Sequence, residues 1–297
     1  MRRDPVSFEG PASGTFPPLT RTVRILLLAN VSLFVAVFLA SLISPGAETL
    51  FIRTLGLVPG DVLRFPPFLW QFVTYAFVHS PSDPFHVLLN MLALYMLGGL
   101  VEERKGSAWF LRLYAVSLLA GGLVHVVYGT LRFEGRSPCI GASGAVLGVM
   151  LAAARLYPRL PVFFWFVLLP LWVVAGILVA LDVLPILTEL TSRVRPDGTA
   201  HAAHLGGALA GFFWAGAPAW LTDRPLLPAG KMKSLRRALD NRRRRGEESR
   251  RRRMDALLAR ISKEGIGSLS HSERRFLVRE SRRARARRGG RPGGEEP

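Results

Sequence analysis

Apolar runs long enough to cross a lipid bilayer dominate the chain between Arg24 and Leu221. Two of them are "ILLLANVSLFVAVFLASLI" at 25–43 and "FFWFVLLPLWVVAGILVALDVL" at 163–184. A hydrocarbon core about 30 Å thick needs about 20 apolar residues in a helix, which satisfies its own backbone polar groups. The sequence therefore predicts an all-α, polytopic membrane protein. The first run has no small-residue cleavage site, so we expect it to be a retained span rather than a signal peptide.

Charged residues divide the apolar part into six predicted spans. These are 24–43, 85–102, 107–129, 141–156, 161–184 and 200–221. An even number of spans places both termini on one side of the membrane. A strongly basic C-terminal region assigns that side to the cytoplasm. We therefore expect a multi-pass protein of the cell membrane, with an N-terminal cytoplasmic segment at 1–20 and a membrane domain at 21–221.

Most of the net charge of +18 belongs to the tail at 222–297, which holds 24 of the 39 Lys and Arg residues. Such a tail is attracted to anionic lipid head groups, and we expect no nucleic-acid partner. Apolar residues at helical spacing, followed by a capping box of Ser270 and Glu273, predict a short helical hairpin at about 254–280. The Arg-rich flanks of this hairpin are expected to be disordered.

Two features outside the spans carry smaller predictions. The stretch "FPPFLWQFVTYAFVHSPSDPFH" at 65–86 is rich in aromatic residues and proline, which is typical of a segment at the membrane interface. Cys139 is the single cysteine of the sequence, so it forms no internal disulfide and is interpreted as a small packing residue. No metal ion or cofactor is expected.

Polar side chains within membrane spans are costly and tend to mark function. Those identified in the predicted spans are His86, Asn90, His125, Ser143, His201 and His204. Four of them, His86, Asn90, Ser143 and His204, lie at similar predicted depth below the outer surface. The other two, His125 and His201, are interpreted as packing or gate residues, and His79 is assigned to the interfacial segment.

The fourth predicted span is too short to cross the membrane. Its apolar stretch from Gly141 to Ala154 covers about 21 Å of a core about 30 Å thick. Ser143 would then lie about 10 Å below the outer surface, in a cavity that admits water. Free N–H groups at the start of this helix could stabilise a negative oxygen, and His204 could act as the base for the serine. The sequence places no carboxylate to orient the histidine, so it predicts a Ser–His dyad.

Small residues are expected to bring the fourth and sixth spans together. Gly144 and Gly148 form one G-x-x-x-G pair, and Gly207 and Gly211 form another. Gly141 precedes the serine in the same glycine-rich stretch.

The motifs at these positions resemble those of the rhomboid intramembrane serine proteases. "GASGAVLG" is similar to the family's serine motif, "AHLGGALAG" to its histidine span, and "HVLLNMLALYMLGGLVEERKGS" to its second span. "WQFVTYAFVH" is similar to the family's first loop, and the resemblance covers about residues 20–221. It implies a six-transmembrane-helix rhomboid-like bundle in which Ser143 is the nucleophile and His204 the general base. Asn90, His86 and the N–H of Ser143 would bind the oxyanion.

Two positions depart from the family pattern, and one further stretch resembles a known module. Leu147 stands where some members have an aromatic ring, and "SPSDPF" before His86 differs from the more usual Gly-Trp type of loop. The tail stretch "LLARISKEGIGSLSHSERRFL" is similar to a small module found behind some bacterial rhomboids.

The resemblance implies an intramembrane serine endopeptidase that cleaves transmembrane segments of other membrane proteins through an acyl-enzyme. We expect substrates with helix-weakening Gly or Pro residues and a small residue at the cut. The fifth span and the loop at 188–200 are expected to form a lateral gate. Two alternatives remain open: a catalytically weak or inactive relative that binds transmembrane helices, and a small transporter. The sequence shows no internal repeats of the kind typical of transporters.

Overall fold

The computed structural model describes residues 17–64, 66–133, 135–164, 166–191, 200–223 and 229–289. It is mostly helical and divides into two compact units, Met1–Arg224 and Pro225–Pro297. The predicted N-terminal cytoplasmic segment at 1–20 lies mainly outside the described residues.

The first unit begins with one long helix and a series of short ones. In chain order these elements are α1 (Arg21–Ile43), α2 (Ala47–Leu55), α3 (Pro59–Arg64), a 3₁₀ turn (Pro66–Trp70), α4 (Gln71–Thr74) and a second 3₁₀ turn (Tyr75–Phe77). The remaining elements are α5 (Pro84–Ala93), a π-helical turn (Leu94–Gly98), α6 (Gly99–Lys105), α7 (Ser107–Phe133), α8 (Ser143–Leu156), β1 (Pro161–Phe164), β2 (Val167–Pro170), α9 (Leu171–Thr191), α10 (His201–Gly216) and α11 (Ala219–Thr222).

Among the described residues, four helical segments are long and apolar enough to cross a membrane. They are α1, the continuous segment Pro84–Lys105, α7 and α9, identified by length and composition. The helix that begins at Ser143 is apolar but has only 14 residues. Its length agrees with the short fourth span expected from the sequence.

α1 and α9 lie at the periphery of the first unit. Only 17% of the most apolar window of α1 and 22% of that of α9 are buried, against 50% for α7. A membrane protein leaves such apolar faces exposed where lipid replaces water as the solvent. α7 and α10 form the interior instead, because α10 packs along both α7 and α8.

A glutamate from another element caps the first helix. The N–H groups of Thr22 and Val23 both donate to the Glu102 carboxylate at 2.9 Å, and the Thr20 hydroxyl donates to it at 2.6 Å. These N–H groups have no acceptor within α1 because they belong to its first turn. The carboxylate of Glu102, in the first turn of α6, therefore fixes where α1 begins.

The predicted fifth span at 161–184 is wrong in its boundaries. β1 and β2 pair antiparallel, with Pro161 opposite Pro170, and the helix runs from Leu171 to Thr191. The hairpin sequence is rich in β-branched and aromatic residues, and a proline disfavours the helical conformation of the residue before it. The helix is therefore displaced toward the C-terminus relative to the expected span and continues across Pro185.

Backbone pairing ties the long first connection to the loop that precedes α8. Leu57 and Cys139 exchange both backbone hydrogen bonds at 2.9 Å, and the N–H of Gly60 donates to the carbonyl of Gly135 at 2.9 Å. Leu57 and Cys139 are both buried in the main hydrophobic core. The short helices after α1 therefore support the loop at 135–141 from one side.

The second unit contains two helices, α12 (Ala229–Glu264) and α13 (His271–Gly289), joined by a 3₁₀ turn (Ile266–Ser268). Gly265 has φ of 78°, a conformation that glycine adopts without strain at the end of α12. The N–H of Ser270 donates to the Glu273 carboxylate at 2.8 Å, and the N–H of Glu273 donates to the Ser270 hydroxyl at 3.4 Å. This reciprocal pair is the capping box expected from the sequence.

The Arg-rich flanks of this hairpin were expected to be disordered, which is wrong for the described residues. α12 already begins at Ala229, and α13 continues to Gly289. Arg, Ala, Leu and Glu all have high intrinsic helix propensity, which allows a strongly charged segment to remain helical.

Candidate active site

Ser143 is the first residue of α8, and a glycine with an unusual backbone prepares its position. Gly141 has φ of 107°, and a Cβ added there would lie 2.9 Å from Cε1 of His86. A side chain at Gly141 would therefore meet both backbone strain and a steric clash. This explains the glycine two residues before the serine.

The backbone of the loop before Ser143 is held by the first connection. The N–H of Gly141 donates to the carbonyl of Tyr75 at 2.9 Å, and the N–H of Ala142 donates to Nε2 of His79 at 3.3 Å. The N–H of Ser143 opens the helix and so has no acceptor within α8. A free N–H group at the N-terminus of a helix, together with the partial positive charge there, can stabilise a developing negative oxygen.

His204 lies on the first turn of α10 and reaches the serine directly. Its Nε2 is 2.6 Å from Oγ of Ser143. This is hydrogen-bonding distance between a hydroxyl and an imidazole nitrogen. The structure therefore brings together the two residues that the sequence places 61 positions apart.

Glycines allow α8 and α10 to approach this closely. A Cβ added at Gly207 would overlap the backbone of Gly144, and one added at Gly211 would overlap the backbone of Gly148. The two G-x-x-x-G pairs therefore face each other across one interface. A larger residue at Gly207 or Gly211 would push α10 away from α8.

A carboxylate contacts the histidine, although none was expected beside it from the sequence. Oδ1 of Asp182 on α9 lies 2.8 Å from Nδ1 of His204 and 2.7 Å from Nδ1 of His201. Asp182 is buried, with 8% of its surface exposed. His201 is therefore part of a polar cluster at this site and not a packing residue alone.

The displaced boundary of α9 explains why the sequence did not predict Asp182. In the expected span at 161–184, Asp182 occupies the outer end, where a charged residue is unremarkable. In the structure it lies within α9, beside the first turn of α10. The rule that charged residues inside membrane spans mark function would have identified it, had the helix been placed correctly.

Three polar residues surround the loop on the other side of Ser143. Asn90 lines the same cavity as Ser143, and its Nδ2 lies 3.5 Å from Nε2 of His79. The rings of His79 and His86 are 5.5 Å apart, and His86 packs against Gly141. The structure therefore groups Asn90 and His86 near the start of α8 and adds His79 to them.

His79 was assigned to the interfacial segment from sequence, but its side chain is completely buried. Burial lowers the pKa of His79 to about 4 from its ordinary value of 6.5, and the neighbouring His86 lowers it further. The neutral ring has an acceptor nitrogen, which the N–H of Ala142 uses. His125, by contrast, contacts a different segment: its Nε2 lies 3.0 Å from the carbonyl oxygen of Ser137.

A cavity of about 740 Å³ opens onto Ser143 and His204. Most of its wall is apolar and comes from α5, α8, the β-hairpin and α9. The polar residues in the wall are Asn90, Ser143, Asp182, His201 and His204. Leu147, at the position where the sequence departs from the family pattern, also lines the cavity. An apolar chain could therefore lie beside the serine.

Comparison with known proteins identifies relatives that are rhomboid proteins. Residues 66–218 match the Rhomboid domain family. RHOMBOID-like protein 12, mitochondrial, from Arabidopsis thaliana is 31% identical over 162 residues, which are 50% of this chain and 46% of that protein. Rhomboid protein 1, mitochondrial, from Saccharomyces cerevisiae is 31% identical over 136 residues, covering 46% of this chain and 38% of that protein.

A bacterial relative matches a shorter region. Rhomboid protease GlpG from Salmonella choleraesuis is 30% identical over 118 residues, which are 39% of this chain and 40% of that protein. The chain thus spans less than half the length of each of these three relatives. The family match covers more than half of the chain and confirms the family expected from the motifs. The chain is a multi-pass membrane protein that belongs to the rhomboid family.

Proposed function

We propose that this protein is an intramembrane serine endopeptidase. The observation that carries the proposal is the 2.6 Å contact between Oγ of Ser143 and Nε2 of His204 at the start of a short buried helix. A serine hydroxyl is a weak nucleophile until a base removes its proton, and the imidazole is placed to do so. The names of the relatives, which include a rhomboid protease, agree with this chemistry.

In this mechanism Ser143 attacks the carbonyl carbon of the scissile peptide bond, and His204 accepts the hydroxyl proton. His204 then donates that proton to the leaving amine as the tetrahedral intermediate collapses to an acyl-enzyme. Water enters the cavity, loses a proton to His204 and attacks the ester carbonyl carbon. As the bond to Oγ of Ser143 breaks, His204 returns that proton to Oγ, which releases the carboxylic acid and restores the serine.

The oxyanion of each tetrahedral intermediate would lie at the N-terminus of α8. The N–H of Ser143 can donate to it, and the partial positive charge of the helix start adds to this stabilisation. Asn90 and His86 are proposed as side-chain donors from α5. The position of Asn90 on the wall of the shared cavity supports this role.

We propose six membrane crossings, formed by α1, the segment Pro84–Lys105, α7, α8 together with the loop at 135–141 before it, α9 and α10. The four long helices support four crossings directly. α8 and α10 have 14 and 16 residues and pack against longer neighbours. With the basic tail inside, both termini are cytoplasmic and the serine opens toward the outer face. The cell membrane is the proposed location.

The domain organisation follows from the same proposal. A membrane domain at 21–221 carries the site, and residues 222–297 form a basic cytoplasmic tail. We propose that the tail binds anionic lipids, because Arg residues along α12 and α13 are drawn to a negative membrane surface.

The proposed substrates are transmembrane segments of other proteins. The largely apolar wall of the cavity suits such a segment, and a peptide bond must leave its helix before Ser143 can reach the carbonyl. Gly or Pro near the cut would lower the free-energy cost of that unwinding. A small residue at the cut would fit beside the glycine-rich start of α8.

α9 is the proposed gate for lateral entry. Most of its apolar window is exposed, and residues of both α9 and α5 line the cavity. The loop at 188–200, expected to belong to the gate, lies partly outside the described residues. A disulfide between cysteines placed on α5 and α9 should stop cleavage, and a reductant should restore it. Unchanged cleavage with the disulfide formed would contradict the gate.

The protease proposal is tested by reconstituting the purified protein in lipid vesicles with a fluorescently labelled transmembrane substrate. Ser143→Ala and His204→Ala should abolish cleavage. Ser117→Ala is the matched control, because Ser117 is a buried serine on α7 that packs against Gly148. Equal cleavage by Ser143→Ala and the wild type would refute the proposal. A wild type that binds the substrate without cutting it would favour the helix-binding alternative.

A further inference from the structure

Asp182 has no role in a mechanism that uses only Ser143 and His204, yet it is buried against the histidine. Its Oδ1 accepts from two imidazoles, at 2.8 Å from Nδ1 of His204 and 2.7 Å from Nδ1 of His201. A carboxylate offers acceptors only, so each Nδ1 must carry the hydrogen. His204 is therefore held in the tautomer whose Nε2 has a free lone pair, and that lone pair faces the serine at 2.6 Å.

The same three side chains could be considered as metal ligands, since their ligand atoms lie within 4.8 Å of one another. The distances argue for hydrogen bonds instead. Two ligands bound to zinc at about 2.0–2.1 Å in tetrahedral geometry stand about 3.3 Å apart. The observed 2.7 and 2.8 Å separations are shorter than this and are normal for N–H groups that donate to a carboxylate.

We propose that Asp182 is a positioning residue that completes a Ser143–His204–Asp182 triad, and that α9 supplies it. This inference rests on the proposed protease function. The carboxylate fixes the His204 ring and stabilises the imidazolium that forms when the serine proton is transferred. His201, bound to the same oxygen, holds the carboxylate in place from the N-terminus of α10.

Because Asp182 lies on α9, the orientation of His204 depends on the position of this helix. Ser143 and His204 lie on α8 and α10, which pack tightly through glycines, whereas α9 is peripheral. The base is therefore oriented only while α9 remains docked against α10. Movement of α9 during substrate entry must return the carboxylate to His204 before the serine is activated.

α9 offers a matched control residue for this proposal. Glu189 lies two helical turns after Asp182, on the same face, and is similarly buried, with 5% of its surface exposed. Its carboxylate accepts from the Tyr128 hydroxyl on α7 at 2.6 Å. Glu189→Gln removes a buried charge from α9 and keeps an acceptor for Tyr128, but it leaves His204 untouched.

The experiment compares the wild type, Asp182→Asn, Asp182→Glu, Asp182→Ala, Glu189→Gln and Ser143→Ala in vesicles with a labelled transmembrane substrate. We expect Asp182→Asn to lower kcat by about 10²- to 10⁴-fold with KM changed by less than about threefold, because the amide can stabilise the wrong tautomer. Asp182→Glu should recover part of kcat, since it restores a carboxylate on a longer side chain. Glu189→Gln should keep kcat within about threefold of the wild type.

Thermal unfolding of each variant separates loss of orientation from loss of fold. A kcat of Asp182→Asn within about tenfold of the wild type, or an equal loss in Glu189→Gln, would overturn the triad. If Asp182→Asn does not fold, Asp182→Ala decides the question: a folded variant with wild-type KM and reduced kcat supports the triad, and one with kcat within about tenfold of the wild type overturns it. Cleavage by Ser143→Ala would instead refute the protease function itself, so the two failures are distinguishable.

Discussion

An alanine at Gly207 is expected to lower the proposed protease activity without touching Ser143 or His204. The added Cβ would overlap the carbonyl group of Gly144, which belongs to a helix backbone and cannot rotate away. To restore normal van der Waals contact, α10 must move from α8 by about 1 Å. His204 lies on the same helix, three residues before Gly207, so the shift reaches this histidine.

The magnitude follows from the geometry of the site. The 2.6 Å contact between Ser143 and His204 would lengthen to about 3.5 Å, at the limit of a hydrogen bond. Misplacement of a reacting group by about 1 Å can cost about 10²-fold in rate, and we expect kcat to fall by about this factor. Overpacking should also lower the free energy of unfolding by about 1–3 kcal/mol, partly offset by the better helix propensity of alanine.

Gly176→Ala is the matched control, because Gly176 is also a helical glycine but a Cβ there would meet no atom within 4 Å. Cleavage of a labelled transmembrane substrate in vesicles measures kcat, and thermal unfolding in detergent measures stability. Gly176→Ala should retain wild-type kcat. If Gly207→Ala cleaves as fast as Gly176→Ala, then glycine-mediated approach of α8 and α10 does not set the geometry of the base.

Three further outcomes are expected. Because the pKa of His79 is about 4 when folded and 6.5 ordinarily, the unfolded chain binds more protons below pH 6.5. The contribution of His79 to the free energy of unfolding is therefore fully present above pH 6.5 and should fall by about 2 kcal/mol between pH 6.5 and 5. Unfolding measurements at these two pH values should show a smaller fall for His79→Gln than for the wild type. Burial raises the pKa of Cys139 to about 12, so a maleimide should label it only after denaturation; rapid labelling of the folded protein would contradict its burial. The Ser270 N–H and Arg260 lower the pKa of Glu273 to about 2 from 4.5, so α13 should lose protection from hydrogen exchange as the pH falls from about 4.5 to 2, and Glu273→Gln should remove that dependence.

Much of the fold and site could be predicted from sequence because the signals are local. A run of apolar residues marks a span whatever surrounds it, and the 14-residue length of α8 could be read from the distance between Gly141 and the next charge. The glycines at 144, 148, 207 and 211 predicted a close helix pair, and Ser143 with His204 followed from their shared depth. Positions that depend on helix boundaries were less predictable. Because the β-hairpin occupies the start of the predicted fifth span, α9 begins at Leu171, and Asp182 lies inside this helix instead of at its outer end.

The sequence by itself determined a polytopic membrane protein with a serine at the start of a helix too short to cross the bilayer. Hydropathy, glycine spacing and motif content are properties of neighbouring residues, so no tertiary contact is needed to read them. Only the tertiary structure decided that Asp182 from α9 meets His201 and His204, and that the buried His79 holds the backbone beside Ser143. These pairings join distant segments of the chain, and their geometry depends on where each helix begins and on how closely its neighbours pack.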